Sequence, residues 1–143
     1  MHSTNYYNTF IEVADDCLVT EGEAPLQRAE KSVANVHYDL LGGNPYRYTS
    51  DEVIFEAHRE RNRISDDAVA AERERFFAKG QACLRSSPLA KRYGWGIHSD
   101  AEGKVAIYSR GSEEYARYAS DSALKHLKAM RSKRSKRPAD PCV

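Results

Sequence analysis

Residues 83–100 read CLRSSPLAKRYGWGIHSD, a stretch that sets a thiol, three cations, two large aromatic rings, an imidazole and a carboxylate close together. Arg85, Lys91 and Arg92 suit an anion, because guanidinium groups grip phosphate or carboxylate oxygens in pairs, and Tyr93 and Trp95 offer faces on which a ring can stack. Gly94 and Gly96 bracket the only tryptophan, which implies unusual dihedrals or close approach of the backbone to another segment or a ligand. Tyr46 and Tyr48, either side of Arg47 in a proline-containing connector, complete an aromatic cleft if the two stretches meet. The plainer alternative is a core-anchoring tryptophan with cations solvating a loop.

His98 and Asp100 are two apart, so on a strand they share a face, and a paired imidazole is a candidate general base. A surface hairpin histidine near a turn aspartate is the competing reading, since the pair lacks the third partner of a triad or a metal site. Cys83 is a candidate nucleophile if Arg85, Lys91, Arg92 or His98 lowers its pKa, and otherwise a small buried hydrophobe. His37 and Asp39 diverge on a helix. The chain has no GxGxxG, GxxxxGK[ST], HExxH or GxSxG motif, so no cofactor and no metal is expected.

These groups must be positioned by a chain of 143 residues, the size of one domain with a true core. Its 41% hydrophobic and 30% charged residues fit a soluble globular protein. The expected domain is 1–130, followed by a basic, disordered tail over 131–143. The net charge of +1 hides an asymmetry: residues 125–143 hold seven Lys and Arg against Asp140 alone, leaving fifteen cations against twenty acids elsewhere. In that tail Arg131, Lys133, Arg134, Lys136 and Arg137 are suited to salt-sensitive, sequence-independent contact with nucleic acid, or simply to solubility. Three cysteines without CxxC spacing point to a reducing cytoplasm. No signal-peptide pattern or membrane-length apolar run is present, so neither secretion nor a membrane partner is expected.

In chain order, the β-branched and aromatic run at 8–13 predicts a first strand, and 17–31 a surface loop with at most a turn of helix. A helix follows Ser32, its apolar residues Val33, Val36, Leu40 and Leu41 at helical spacing, with Gly42 and Gly43 as a left-handed stop. Thr49 and Glu52 form a capping box for a second helix to about Arg61, which buries Val53, Ile54 and Ala57. Ser65 starts a third, with Val69, Arg73, Phe76 and Phe77 on one side and Lys79-Gly80 at its end. Pro88 opens a single turn. Residues 95–98 and 104–109 read as a hairpin around a glycine-containing loop. Ser112 caps a long last helix with Tyr115, Tyr118, Ala119, Ala123, Leu127 and Met130 on one face. The expected fold is α+β: a small antiparallel sheet of three or more strands, about four helices, and a long C-terminal helix with a basic tail.

Several blocks are distinctive in combination: Asn8-Thr-Phe-Ile, Asn44-Pro-Tyr-Arg-Tyr-Thr-Ser-Asp, Phe76-Phe77 through Lys79-Gly-Gln, Cys83-Leu-Arg, Ser87-Pro-Leu, Lys91-Arg-Tyr-Gly-Trp-Gly-Ile-His and Met130-Arg-Ser-Lys-Arg. On these the chain resembles a mostly bacterial family of small proteins, the domain of unknown function number 6157. Leu18 stands where that pattern has proline. The resemblance implies no activity. From the residues, the leading expectation is a cytoplasmic binding module for a small anionic or aromatic ligand or a partner segment, at Arg85, Lys91, Arg92, Tyr93, Trp95, His98, Tyr46 and Tyr48. The alternatives are a small cofactor-independent enzyme using His98 with Asp100, or Cys83, and a nucleic-acid accessory protein held by its tail.

Overall fold

The computed structural model describes residues 2–132. Four strands, β1 (Thr9–Glu12), β2 (Trp95–Ser99), β3 (Val105–Ser109) and β4 (Lys125–Lys128), form one sheet in the order β3-β2-β1-β4. Between β1 and β2 run the helices α1 (Val33–Gly42), α2 (Ser50–Asn62), α3 (Val69–Phe77) and α4 (Pro88–Arg92), with tight 3₁₀ turns at Asp66–Ala68 and Leu84–Ser86; α5 (Glu113–Ala119) links β3 to β4. The fold is α+β.

Local chemistry sets most boundaries. Ser32 and Thr49 each accept a hydrogen bond from the amide three residues on, while Asn35 and Glu52 reach back to the cap amide, so both helices start on a complete capping box. Ser87 caps α4 ahead of Pro88, whose missing N–H costs nothing at a helix start. Alternation along the strands then sorts the sheet into two faces. Ile11, Ile97 and Val105 pack with Leu41, Val53, Leu84 and Leu89 into the main core under the helices. Phe10, Gly96, His98 and Tyr108 occupy the other face, where Tyr115 and Tyr118 of α5 meet the Phe10 ring at 5.1 and 5.8 Å.

The first strand, the hairpin and the first two helix starts stand where the sequence places them, whereas Ser65 leads into the 3₁₀ turn and α3 begins only at Val69. The long final helix does not form. After α5 the chain turns at Ser120, the Asp121 carboxylate accepts from the Ala123 amide, and residues 125–128 add a strand parallel to β1, so the sheet is mixed rather than antiparallel. Leu127 packs toward the core while Lys125, His126 and Lys128 stay exposed, charges that blunt this edge of the sheet. Three turn formers in succession, Ser120, Asp121 and Ser122, override the helical spacing. Two stops also differ: Gly43 has φ −113° instead of a left-handed value, with Asn44 Nδ2 donating to the Leu40 carbonyl at 3.1 Å, and α3 ends at Phe77, before Gly80. Residues 17–31 contain no helix. The predicted disorder of the tail lies, from residue 133 on, outside the described residues.

Candidate functional site

The sheet divides the predicted site residues. Trp95 lies on the helix-covered face, its ring 5.7 Å from Tyr38 and its Nε1–H donated to the Glu23 carbonyl at 2.9 Å. A Cβ on Gly22 would sit 2.7 Å from the Trp95 ring, so the 17–23 loop lies directly on the indole. Arg110 Nη1 holds that loop through the carbonyls of Cys17 and Val19. The close approach foreseen at the glycines is therefore to the protein itself, Gly94 to the Glu21 backbone and Gly96 to the Phe10 and Tyr115 rings, and Trp95 is a packing anchor.

His98 points to the opposite face and meets Tyr46, as the connector idea requires. Tyr46 N–H donates to the Val105 carbonyl and Val105 N–H to the Tyr48 carbonyl, both at 2.9 Å, so the connector runs as an extra rung beside β3. Held at φ 60°, Tyr46 places its hydroxyl 2.8 Å from His98 Nδ1, 2.7 Å from Tyr108 Oη and 3.3 Å from Tyr118 Oη. The Tyr118 ring stacks on His98 at 4.2 Å. Burial lowers the His98 pKa, and Asp100 and Asp121 only oppose this. Burial and hydrogen bonds to two phenols raise Tyr46, whereas the bond from Tyr46, ahead of those from Tyr108 and Arg117, lowers Tyr118. Tyr118 is thus the phenol that ionises first.

The pairing of His98 with Asp100 does not form: Asp100 Oδ1 accepts from the Glu102 and Lys104 amides, both at 2.9 Å, and builds the hairpin turn. In Tyr46→Phe the hub oxygen is lost, and we expect about 1–2 kcal/mol less stability in denaturant titration. The Tyr118 phenol should also titrate at higher pH by ultraviolet absorbance.

Arg92 and Tyr93 lie elsewhere, on the wall of a groove of about 790 Å³ formed by residues 28–34, the end of α2 and the start of α4. Arg28, Lys31, Arg61, Arg63 and Arg92 line it against Glu30 and Glu60. Lys31 pairs with Asp39 at 3.1 Å and Arg63 with Glu30 at 3.0 Å, while Arg28, Arg61 and Arg92 have no ion-pair partner among the described residues. The first turn of α1 opens onto the groove and contains no acid. Neither Lys91 nor Arg85 lines the groove; Arg85 Nε donates to the Lys128 carbonyl at 2.8 Å and ties the Leu84–Ser86 turn to β4. Tyr48 packs against the core with the Arg47 guanidinium 5.8 Å over its ring.

A second cavity of about 440 Å³ adjoins the groove, and Val33, Arg61 and Ser86 line both. Cys83 is on its wall, 3% exposed and disulfide-bonded, so it is not the free nucleophile the sequence offers, and its sulfur lies 3.3 Å from the Tyr6 hydroxyl. His37 is there too, 4% exposed, with Nδ1 2.8 Å from Ser87 Oγ. Reading from the sequence sets His37 aside and does not single out Ser87 or the arginines of α2, which a connection of many residues brings together. One signal was legible: Lys31 precedes the cap of a helix with no acid in its first turn, against the usual preference for negative charge there. Among the described residues no group of three His, Cys, Asp or Glu is placed to hold a metal ion, and no helix is long and apolar enough to cross a membrane.

Together these features define an α+β protein with a basic groove beside its helical layer. The chain belongs to the family of unknown function DUF6157, whose profile matches residues 1–135. No curated protein and no solved structure matches it.

Proposed function

We propose that the protein is a binding module for a small anion, seated in the groove between residues 28–34 and the facing ends of α2 and α4. The supporting observation is the balance of charge there: five cations against two carboxylates, with Arg28, Arg61 and Arg92 outside any described ion pair. Guanidinium groups held around a concavity without carboxylate partners offer paired donors and a focused positive field, which favour phosphate or carboxylate over a neutral solute. The amides at the start of α1 act in the same direction. Tyr93 on the wall supplies the aromatic surface that the sequence places beside Arg92. The enzyme alternative loses the His98–Asp100 pairing, and its other candidate, Cys83, is disulfide-bonded and so has no free thiol; the cations of the nucleic-acid alternative lie, apart from exposed Arg131, outside the described residues.

The test is calorimetric titration with ribose 5-phosphate and with pyrophosphate at low ionic strength. We expect binding that weakens as salt is added and falls about ten-fold in each of Arg61→Ala and Arg92→Ala, the loss of one charge-assisted contact. Affinity unchanged in the double variant, or no binding of either anion by the wild-type protein, overturns the reading.

A further inference from the structure

We infer that the anion is the phosphate of a nucleoside monophosphate whose base, one carrying an exocyclic amino group, enters the second cavity. This rests on the anion-binding reading of the groove and adds the identity of the other end of the ligand. The two concavities share Val33, Arg61 and Ser86 in their walls, so they lie side by side, near enough for one molecule anchored by its charge in the first to extend toward the second.

The second cavity has a different chemistry. Val33, Ile54 and Ala57 give it apolar walls that suit the faces of a flat ring. Its polar groups are few and directional. Ser87 Oγ accepts the Leu89 amide and lies 2.8 Å from His37 Nδ1, and in the tautomer with the ring proton on Nε2 the hydroxyl donates to Nδ1. The neutral imidazole then carries its one ring proton on Nε2, and that N–H has no partner among the described residues. No buried side-chain nitrogen or oxygen of the described residues lacks a hydrogen bond, so this nitrogen of an otherwise enclosed ring reaches accessible space, and the ring lines the cavity.

Two amide side chains complement it. Asn62 Nδ2 donates to the His58 carbonyl at 2.8 Å and Gln81 Nε2 to the Phe76 carbonyl at 2.7 Å, which leaves Asn62 Oδ1 and Gln81 Oε1 as acceptors. One fixed donor beside two acceptors matches an edge that presents an amino group next to a ring nitrogen, as adenine and cytosine do. Uracil, with two carbonyls and one N–H, leaves an acceptor unmatched, and a site with unpaired polar groups discriminates strongly.

Calorimetry with AMP, CMP, UMP and ribose 5-phosphate tests this. AMP and CMP should bind at least ten-fold tighter than UMP and ribose 5-phosphate. Gln81→Ala, at a half-buried position, and Ile54→Trp, which fills the cavity from the half-buried face of α2, should bring AMP down to the ribose 5-phosphate level while leaving ribose 5-phosphate itself unchanged. Thermal melts confirm that both variants fold. If ribose 5-phosphate binds as tightly as AMP, or if Ile54→Trp leaves AMP unaffected, the second cavity is not the base site and this inference falls while the anion groove stands. Should neither AMP nor ribose 5-phosphate bind, both readings fall together.

Discussion

Replacing Gly94 by alanine should destabilise the protein by about 3 kcal/mol or more and lower its melting temperature by roughly 10 °C. Two independent costs add at this position. Gly94 has φ +80°, a conformation that costs an L-residue about 1–2 kcal/mol. Its missing Cβ would also sit 2.6 Å from the Glu21 carbonyl oxygen and 2.8 Å from Val19 Cγ2. The contact with Glu21 is to backbone, and that backbone has little room to retreat. Glu23 N–H donates to the Tyr93 carbonyl at 2.8 Å, and Gly22 N–H donates to Ser109 Oγ at 2.7 Å. Displacing the loop also uncovers the Trp95 ring, so the fluorescence of the only tryptophan should shift to the red. Gly43→Ala is the control, since φ there is −113° and nothing lies within 4 Å of the added carbon. Equal melting temperatures for Gly94→Ala and Gly43→Ala would show that the 17–23 loop is not fixed on β2.

That loop explains what the chain reveals before it folds. The glycines around Trp95 announce a close approach, and one exists, yet the identity of the approaching group is not local information. Residues 17–23 are some seventy positions away, and their polar, irregular composition says only that they form a surface segment. Capping boxes, by contrast, are complete within four residues, so Ser32 and Thr49 mark their helices correctly without any tertiary knowledge. The last helix fails for the complementary reason. Residues 115–130 satisfy helical spacing in part, but half-buried Leu127 and buried Ala129, two apart at and just beyond β4, satisfy strand alternation as well. The choice between them was made by the open edge of β1, which only the assembled sheet provides.

The candidate site divides along the same line. Arg92 and Tyr93 are legible because cations beside an aromatic ring are unusual in any context. Their partners Arg28, Arg61 and Arg63 are ordinary residues of charged segments, and become a groove only when α2 and α4 close around residues 28–34. Tyr46 meeting His98 was a correct guess about two connectors, but the alternation of β2 turns His98 and Trp95 to opposite faces, so the single cleft imagined from sequence becomes two regions.

Lowering the pH from about 6.5 to about 4 should remove about 3 kcal/mol of folding stability through His37 alone. Burial drives the His37 pKa down from 6.5 to about 4, because the enclosed ring resists charging. The unfolded chain takes up a proton at this histidine below its ordinary pKa, while the folded protein does not until the lower value. Stability is therefore full above pH 6.5, declines through the window, and levels off below pH 4. Hydrogen bonding reinforces the effect. With a proton on Nδ1, His37 no longer accepts from Ser87 Oγ, and that hydroxyl, which already takes the Leu89 amide at the start of α4, must find a new acceptor in a site where Ser87 is 2% exposed.

Urea titrations across the window measure the decline, and subtracting the same series for His37→Gln isolates it from His98, whose pKa burial also lowers, and from the carboxylates Asp15 and Glu72, which lose their Lys128 and Arg75 partners at lower pH. A difference curve that stays flat between pH 6.5 and 4 would mean that His37 is charged in the folded protein. Base recognition in the second cavity, which uses the neutral imidazole, would then be lost as the pH falls through 6.5 rather than through about 4.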